Sequence, residues 1–550
     1  MNILLIVGAL IIFTCIFLNK VSSRLGIPVL LLFILLGVLI GWYDEVSLDV
    51  TRRAGDICTI ALIFVMFYGG FGTSWKSAKP VAIESGLLAT VGVALTAGIV
   101  GMFCHFALGW GWIEGMIMGS VISSTDAATV FSILRTRKMG LKNNTAPMLE
   151  LESGSNDPCS YMLTAVMLSV LAGTSSGGRV VWMIFSQLVF GAIGGILIAQ
   201  GAAFILRKVS LPKGFDMTFI VAVAVLGYAF PSLIGGNGYL SVYIIGIILG
   251  NCEFKGRKGL VIFFDGVTTF MQILIFFILG YIARPSNLPY VFVTAVIIFL
   301  FVSFVARPVA VSSILVPFRK YPSRQIGLVS FVGLRGVASI VFAIMTITSG
   351  LPLEHDIFDI VFCIVLISIA LQGSLIPSAA KAFKMNDRDV DVMRTFSDFN
   401  EHCELSFGKA VIPAGGNWDN KMVKELALPE DVKLLMVFRG GRKIITRGNT
   451  HLAAGDEVVF CAKAYDNATA ADIREHPLSR NSVWIGKKIK DYPNSDGSHV
   501  VMIRRGDEQI IPDGNTVLCS GDILFLLNGD SSAVGDVYGG CEPKGEKQAQ

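Results

Sequence analysis

Charge is scarce in this chain. Only 16% of its 550 residues are Asp, Glu, Lys or Arg, while 53% are hydrophobic, and mean hydropathy is +0.66. Soluble domains carry about 25% charged residues, so a soluble multidomain protein does not fit and a polytopic membrane protein does. The net charge is only +4, and no basic run alternates with aromatics, which argues against nucleic acid as a partner. The ten cysteines are scattered without a CxxC pair. Neither a disulfide framework nor a metal site is indicated, and no cofactor is expected. The first apolar run, NILLIVGALIIFTCIFL, lacks a basic n-region and an A-x-A cleavage site. It reads as a retained first helix.

Apolar windows long enough to cross a bilayer fall at about 3–19, 27–42, 57–73, 81–108, 112–134, 148–173, 180–206, 215–234, 238–251, 259–282, 289–316, 325–349 and 357–380. The loops offer an independent check. Alternate loops carry Lys20 and Arg24; Lys76 and Lys79; Arg135, Arg137, Lys138 and Lys142; Arg207, Lys208 and Lys213; Lys255, Arg257 and Lys258; Arg319, Lys320 and Arg324. The intervening loops hold only Arg52, Arg53, Arg179 and Arg284. Seventeen basic residues against four, alternating loop by loop, is a positive-inside signature. It supports thirteen spans in an all-α membrane domain (1–385), in the cytoplasmic membrane, with the N-terminus outside and the C-terminus in the cytoplasm.

After Lys384 the texture turns polar, giving a linker (386–402) into a soluble region that repeats itself at an offset of 66. Trp418 matches Trp484, and RGGRKIITRGNTHLAAGD aligns without a gap on RGDEQIIPDGNTVLCSGD. Fourteen of the 39 positions from Trp418 to Asp456 are identical to their partners. β-Branched runs between Gly-rich turns predict two small mixed α+β modules with one helix each, 403–473 and 474–540. The Arg-Gly pairs, Gly-Asn-Thr segments and Gly-Asp turns resemble the RCK C (TrkA-C) domain. That family usually has a Rossmann lobe before it, but no GxGxxG follows a strand here, so dinucleotide regulation is not implied. The alternative is a dimerisation or folding module without a ligand.

Acids at a bilayer centre cost roughly 2.5–3.5 kcal/mol each on insertion scales, so they persist where they pair, face water or bind ions. Asp126 interrupts span five behind Ser123, Ser124 and Thr125, where the helix could open and present carbonyls and amides to a cation. It serves either as a direct ligand or as a cap on a half-helix N-terminus. Asp157 precedes Pro158, which removes an amide and frees the Gly154 carbonyl. Ser153 and Asp157 are four apart and share a helix face; Glu152 and Asn156 share the neighbouring one. Carboxylate, hydroxyl and freed carbonyl make a hard-oxygen site suited to a small monovalent cation. The bland alternative is a helix cap at Asp-Pro. Arg335, mid-span between Gly333 and Gly336, needs a carboxylate partner, for which Glu152 is the best candidate. Arg307 reads as an interfacial anchor and Asp265 as a helix-end contact.

Together SSTDAATV, ESGSNDP and GLRGVAS resemble the cation–proton antiporters of the monovalent type one class, in the NhaP-like branch and its cell-volume-regulation relatives with a TrkA-C tail. The resemblance implies inverted repeats, a homodimer and exchange of K+ or Na+ for H+ rather than enzymatic catalysis. It casts Asp157 as the carboxylate that alternates between proton and cation, with Asn156 beside it. Thr125 and Asp126 become the unwound crossing element, Ser153 a ligand, and Glu152–Arg335 a structural ion pair. An Asn-Asp pair implies electroneutral exchange. The RCK-type tail favours K+ over Na+, and Arg439 and Arg505 could hold a small nucleotide-type regulator. A gated potassium channel is the rival, but no TVGYG-like filter is present. A membrane enzyme lacks support, since no GxSxG elbow or His–carboxylate metal motif is legible.

Overall fold

The computed structural model describes residues 8–18, 29–42, 47–387 and 405–527. Excepted within these ranges are 138, 175, 210, 211, 213, 253, 255, 256, 417, 427, 429–431, 440, 441, 464–472, 479–481, 492–498, 507, 511 and 513. Lys20, Arg24, Lys138, Lys213 and Lys255, nearly all of the expected linker, and the outer ends of the first span and second module lie outside the described residues. The chain divides into two compact units, Met1–His402 and Cys403–Gln550.

The first unit is helical. In chain order its helices are α1 (Gly8–Leu18), α2 (Val29–Gly41), α3 (Leu48–Gly72) and α4 (Trp75–Leu108). Then come α5 (Trp112–Val121), α6 (Ala127–Thr136), α7 (Thr145–Leu171), α8 (Gly177–Lys208) and α9 (Phe215–Leu233). The remainder are α10 (Gly238–Gly250), α11 (Arg257–Ile282), α12 (Leu288–Phe318), α13 (Ser323–Phe331), α14 (Val337–Thr348) and α15 (Ile357–Ala382). Among the described residues, α3, α4, α8, α9, α11, α12 and α15 are long and apolar enough to cross a membrane. The windows at 112–134 and 325–349 are not continuous helices: each breaks in the middle, at 122–126 and 332–336. A two-residue antiparallel pair, β1 (Gly140–Leu141) with β2 (Asn386–Asp387), ties the loop after α6 to the end of this unit.

In lipid, helices gain little from burying apolar surface against one another, so close approach of small residues carries the association. Two helix pairs show it. A methyl group on Gly37 of α2 would enter the Phe277 carbonyl of α11, and one on Gly280 would enter the Ile34 carbonyl. Likewise, a methyl on Gly70 of α3 would meet the Tyr243 carbonyl of α10, and one on Gly246 the Phe67 carbonyl.

The second unit holds two antiparallel four-stranded sheets. The first comprises β3 (Leu405–Val411), β4 (Val432–Arg439), β5 (Arg442–Ile445) and β6 (Glu457–Lys463), in the order β3-β6-β4-β5. The second comprises β7 (Ile473–Pro477), β8 (His499–Arg505), β9 (Glu508–Ile510) and β10 (Ile523–Leu527), in the order β7-β10-β8-β9. The shared strand order shows the sequence repeat as a repeated topology. Among the described residues each module holds a single 3-10 turn, Val423–Glu425 and Ile489–Asp491, and no α-helix; 464–472, 492–498 and the chain after 527 lie outside the described residues.

Gly280→Ala tests the close packing. Its Cβ meets backbone that cannot swing aside, so overpacking should cost about 1–3 kcal/mol. The expected outcome is a lower melting temperature in detergent, with Gly266→Ala, where nothing lies within 4 Å of the added carbon, as the unaffected control.

Candidate functional site

The two interruptions meet. Hydroxyl side chains bond nearby carbonyls in place of the helical ladder, and here Ser120 Oγ donates to the Met116 carbonyl and Ser123 Oγ to the Ser120 carbonyl, both at 2.7 Å. The open segment 122–126 lies against 332–336. The Asp126 amide donates to the Leu334 carbonyl at 2.8 Å, and Arg335 Nη1 donates to the Ser124 carbonyl at 2.7 Å. Gly336 leaves room for the Asp126 carboxylate, where any Cβ would collide with it.

Four half-helix ends therefore converge in buried surroundings, two with free amides and two with free carbonyls. Asp126 serves the amide ends. Its Oδ1 accepts from the Thr129 amide at 3.1 Å and its Oδ2 from Thr129 Oγ1 at 2.7 Å, capping α6, while it abuts the start of α14. Arg335 serves the carbonyl end of α5 through Ser124, and its own amide donates to Ser368 Oγ at 3.0 Å. The neutral Gln372 Nε2 donates to the Phe331 carbonyl at the end of α13 at 2.5 Å. Charge thus compensates dipole at three ends, and a neutral amide serves the fourth.

Helix α7 lies across this crossing. Ser153 Oγ donates to the Thr125 carbonyl and accepts from the Ala127 amide, both at 2.8 Å. Asn156 Nδ2 donates to Thr125 Oγ1 at 2.6 Å, and its buried Oδ1 has no hydrogen-bond partner. Ser124 Oγ donates to Asp157 Oδ1. A cavity of about 420 Å³ reaches this point, bordered by Ser124, Thr125, Asp126, Ser153 and Asp157, with Asp265 farther along its wall. On the far side, Asn237 Nδ2 donates to the Pro158 carbonyl at 2.7 Å while its Oδ1 caps α10.

The ion pair expected between Glu152 and Arg335 is made differently. Glu152 Oε1 faces Arg307 Nη2 at 2.5 Å, both side chains buried, as an ion contact without hydrogen-bond geometry. Arg335 lies beyond ion-pair reach of Glu152, though near enough to both groups to feel their charge. Arg307 is therefore no interfacial anchor. Its position well inside the 289–316 window was the overlooked signal, since it sits as deep in apolar sequence as Arg335 does. Asn237, Ser368 and Gln372 were also missed, and Ser124 was read only as part of the helix interruption, because each acts on a group distant in sequence.

Elsewhere the structure brings Glu114, Glu354 and His355 together, with ligand atoms within 4.8 Å of one another, a His–carboxylate grouping that no local motif announced. Glu114 ties down the loop before α15: Oε1 accepts from the His355 amide at 2.8 Å, and Oε2 lies 3.0 Å from His355 Nδ1. In the tail, Arg439 is occupied. Its Nε and Nη2 donate to the two oxygens of Asp456 at 2.8 and 2.7 Å, and Nη2 also reaches the His451 carbonyl. Arg505 makes the same fork to Asp522, at 2.8 Å twice, and to the Val517 carbonyl. The Arg439 bond holds the Asp456 carboxyl below the usual carboxylate range. These arginines brace their modules.

The transmembrane sodium/hydrogen exchanger family matches residues 9–382, and the TrkA-C domain matches 409–471 and 473–537. The chain belongs to the sodium/hydrogen exchanger family. A protein named K(+)/H(+) antiporter NhaP2 from Shewanella baltica is 31% identical to this exchanger over 479 residues, 86% of this chain and 82% of the relative. The K(+)/H(+) antiporter NhaP of Alkalimonas amylolytica is 30% identical over 469 residues, 84% of this chain and 81% of its own length. The sodium proton antiporter MjNhaP1 from Methanocaldococcus jannaschii, solved at pH 8, shares the fold. Its TM-score is 0.60 at 23% identity, covering 68% of this chain and all of that one. The resemblance carried by SSTDAATV, ESGSNDP and GLRGVAS is therefore a family membership, with a helical antiporter domain and a TrkA-C tail.

Arg307→Ala should leave Glu152 buried and uncompensated, lowering stability by about 3–5 kcal/mol. Adding Glu152→Gln removes the stranded charge and should restore much of the melting temperature. Arg335→Ala with Glu152→Gln should show no such rescue. The comparison of melting curves for the four proteins separates Arg307 from Arg335 as the partner.

Proposed function

We propose that this exchanger moves K+ in one direction and H+ in the other at Asp157, one for one and without net charge. The observation that carries the reading is an imbalance among the buried charges of the crossing. Glu152 faces Arg307, Asp126 is bonded by Thr129 at a helix start, and Arg335 is held by a carbonyl. Asp157, at the cavity, has a single hydroxyl, from Ser124. A carboxylate so placed accepts either a proton or a desolvated cation, because each neutralises the charge that attracts the other. The Thr125 carbonyl, Ser153 and the unpartnered Asn156 oxygen stand close by as further oxygen ligands, with Asp126 holding the half-helix that presents them. Asn156 is uncharged, so one carboxylate exchanges one charge. K+ is favoured by the names of the two bacterial relatives, both K(+)/H(+) antiporters. A relative named Probable Na(+)/H(+) antiporter 2, 28% identical over 368 residues, keeps Na+ as the second reading.

The proposed architecture is thirteen passes in two inverted halves about α8, with α5–α6 and α13–α14 each counted as one broken pass. Three features support it. The two interruptions correspond, as do the π turns Leu88–Gly92 in α4 and Val302–Ala306 in α12. The glycine-sealed contacts α2–α11 and α3–α10 exchange under the same relation. The alternation of basic residues supports an N-terminus outside and a tail in the cytoplasm; the reading includes a homodimer whose tail regulates transport. A nucleotide-type regulator would meet Arg439 and Arg505 on the exposed parts of guanidinium groups already forked to Asp456 and Asp522.

In proteoliposomes with a trapped pH dye, wild type should release protons on addition of K+, with Na+ and Li+ as comparisons. Asp157→Asn should reduce this to the protein-free background while inserting normally. Retained exchange would remove Asp157 from its role. On a supported membrane at saturating K+, no current should accompany exchange, and a current would contradict the electroneutral reading.

Removing the tail after His402 keeps β2 paired with β1 and should leave a competent exchanger with a displaced pH profile. Superimposable profiles of full-length and shortened protein would mean that the tail does not regulate under those conditions.

A further inference from the structure

Away from the Asp157 cavity, a second hollow of about 400 Å³ lies where α8 and α10 end together, bordered by Gln200, Phe204, Arg207, Lys208, Ile248 and Cys252. That volume exceeds the share of many waters, each about 30 Å³. Arg207 and Lys208 form the last turn of the 32-residue α8. Neighbours on a helix point about 100° apart, yet these two side chains border one concavity. Arg207 reaches across to the residues just past α10, where Nη2 donates to Cys252 Sγ at 3.3 Å. Lys208 turns back, with Nζ 4.8 Å from the Phe204 ring centre. Among the described residues no carboxylate lines the hollow, and neither cation has an ion-pair partner.

Two cations at the end of a span are ordinary as anchors and as compensation for the helix dipole. That role asks only that each reach water. It does not require both to converge on one hollow with an apolar wall, or Arg207 to bridge two helices.

We propose that the hollow binds an anionic phospholipid, with Arg207 and Lys208 on the phosphodiester oxygens and an acyl chain along Phe204 and Ile248. The guanidinium fork matches a phosphate, and basic pockets between spanning helices suit anionic headgroups. The source is lipid rather than free phosphate because Phe204 is 58% exposed on the flank of a span, where hydrocarbon runs. The headgroup is anionic because two cations border the hollow and no carboxylate does among the described residues, so the ammonium of phosphatidylethanolamine would meet like charge. Nothing in this inference depends on which ions are exchanged.

The test uses the purified full-length chain in detergent, titrated with phosphatidylglycerol, phosphatidylethanolamine or inorganic phosphate. Native mass spectrometry reads bound lipid. A second readout follows maleimide modification of Cys252 by peptide mapping, since Cys252 is partly exposed while the other described cysteines of its unit are buried. Phosphatidylglycerol should bind and protect Cys252; the other two should do neither. Arg207→Gln with Lys208→Gln should weaken phosphatidylglycerol binding roughly thirtyfold, about fivefold for each surface cation removed. Arg179→Gln, which removes a cation from the opposite end of α8, should leave binding unchanged. Should the double variant fold poorly, Lys208→Gln alone should still weaken binding about fivefold. Undiminished binding in the folded variants, equal weakening by Arg179→Gln, or protection by phosphatidylethanolamine or phosphate alone would overturn the proposal.

Discussion

The contact between Asp126 and the segment 332–336 holds together an arrangement that a bilayer would otherwise forbid. Backbone that leaves the helix inside hydrocarbon strands its amides and carbonyls, at several kcal/mol for each unsatisfied group. Breaking two helices at the same place lets each satisfy the other. The Asp126 amide reaches Leu334, the Asp126 carboxylate sits on helix starts, and Arg335 reaches back to the Ser124 carbonyl. Each broken helix is tolerable only because the other is broken beside it.

Once those ends are satisfied, α7 can be anchored to them by neutral groups. Ser153 and Asn156 spend their hydrogen bonds on the opened segment, and Glu152 turns away to Arg307. The carboxylate proposed to exchange is thus separated chemically from the structural charges. Asp157 bonds a neutral hydroxyl, whereas a fixed cation in contact with it would compete with a transported one under that proposal.

Outside the crossing, steric closeness and bidentate charge pairing do the holding. The α2–α11 and α3–α10 contacts rely on glycines where a single methyl would meet backbone. In the tail, each small sheet is braced by one arginine that binds a Gly-Asp turn carboxylate through both oxygens. That fork explains why Arg439, Asp456 and their partners 66 residues later coincide in the repeat: they conserve one structural joint twice within the chain.

The apolar helical segments, the polar tail and its repeat were legible in the sequence because they depend on composition and on period, which are local properties. So were Asp126, Ser153, Asn156 and Asp157 as a cluster of interest, because polar groups inside apolar windows are costly wherever they fold. The break at 332–336 was not read as such, since GLRG is compatible with a continuous helix until something opposite it needs the opened carbonyl of Leu334. Partner choice was likewise illegible. Glu152 could have met Arg335 or Arg307, both deep in apolar sequence, and Arg439 could have faced solvent or Asp456. By itself the sequence determined which groups must not be left alone in a membrane or a small core. Only the tertiary structure decided which groups keep them company, because pairing depends on distances across helices and turns that no stretch of chain contains.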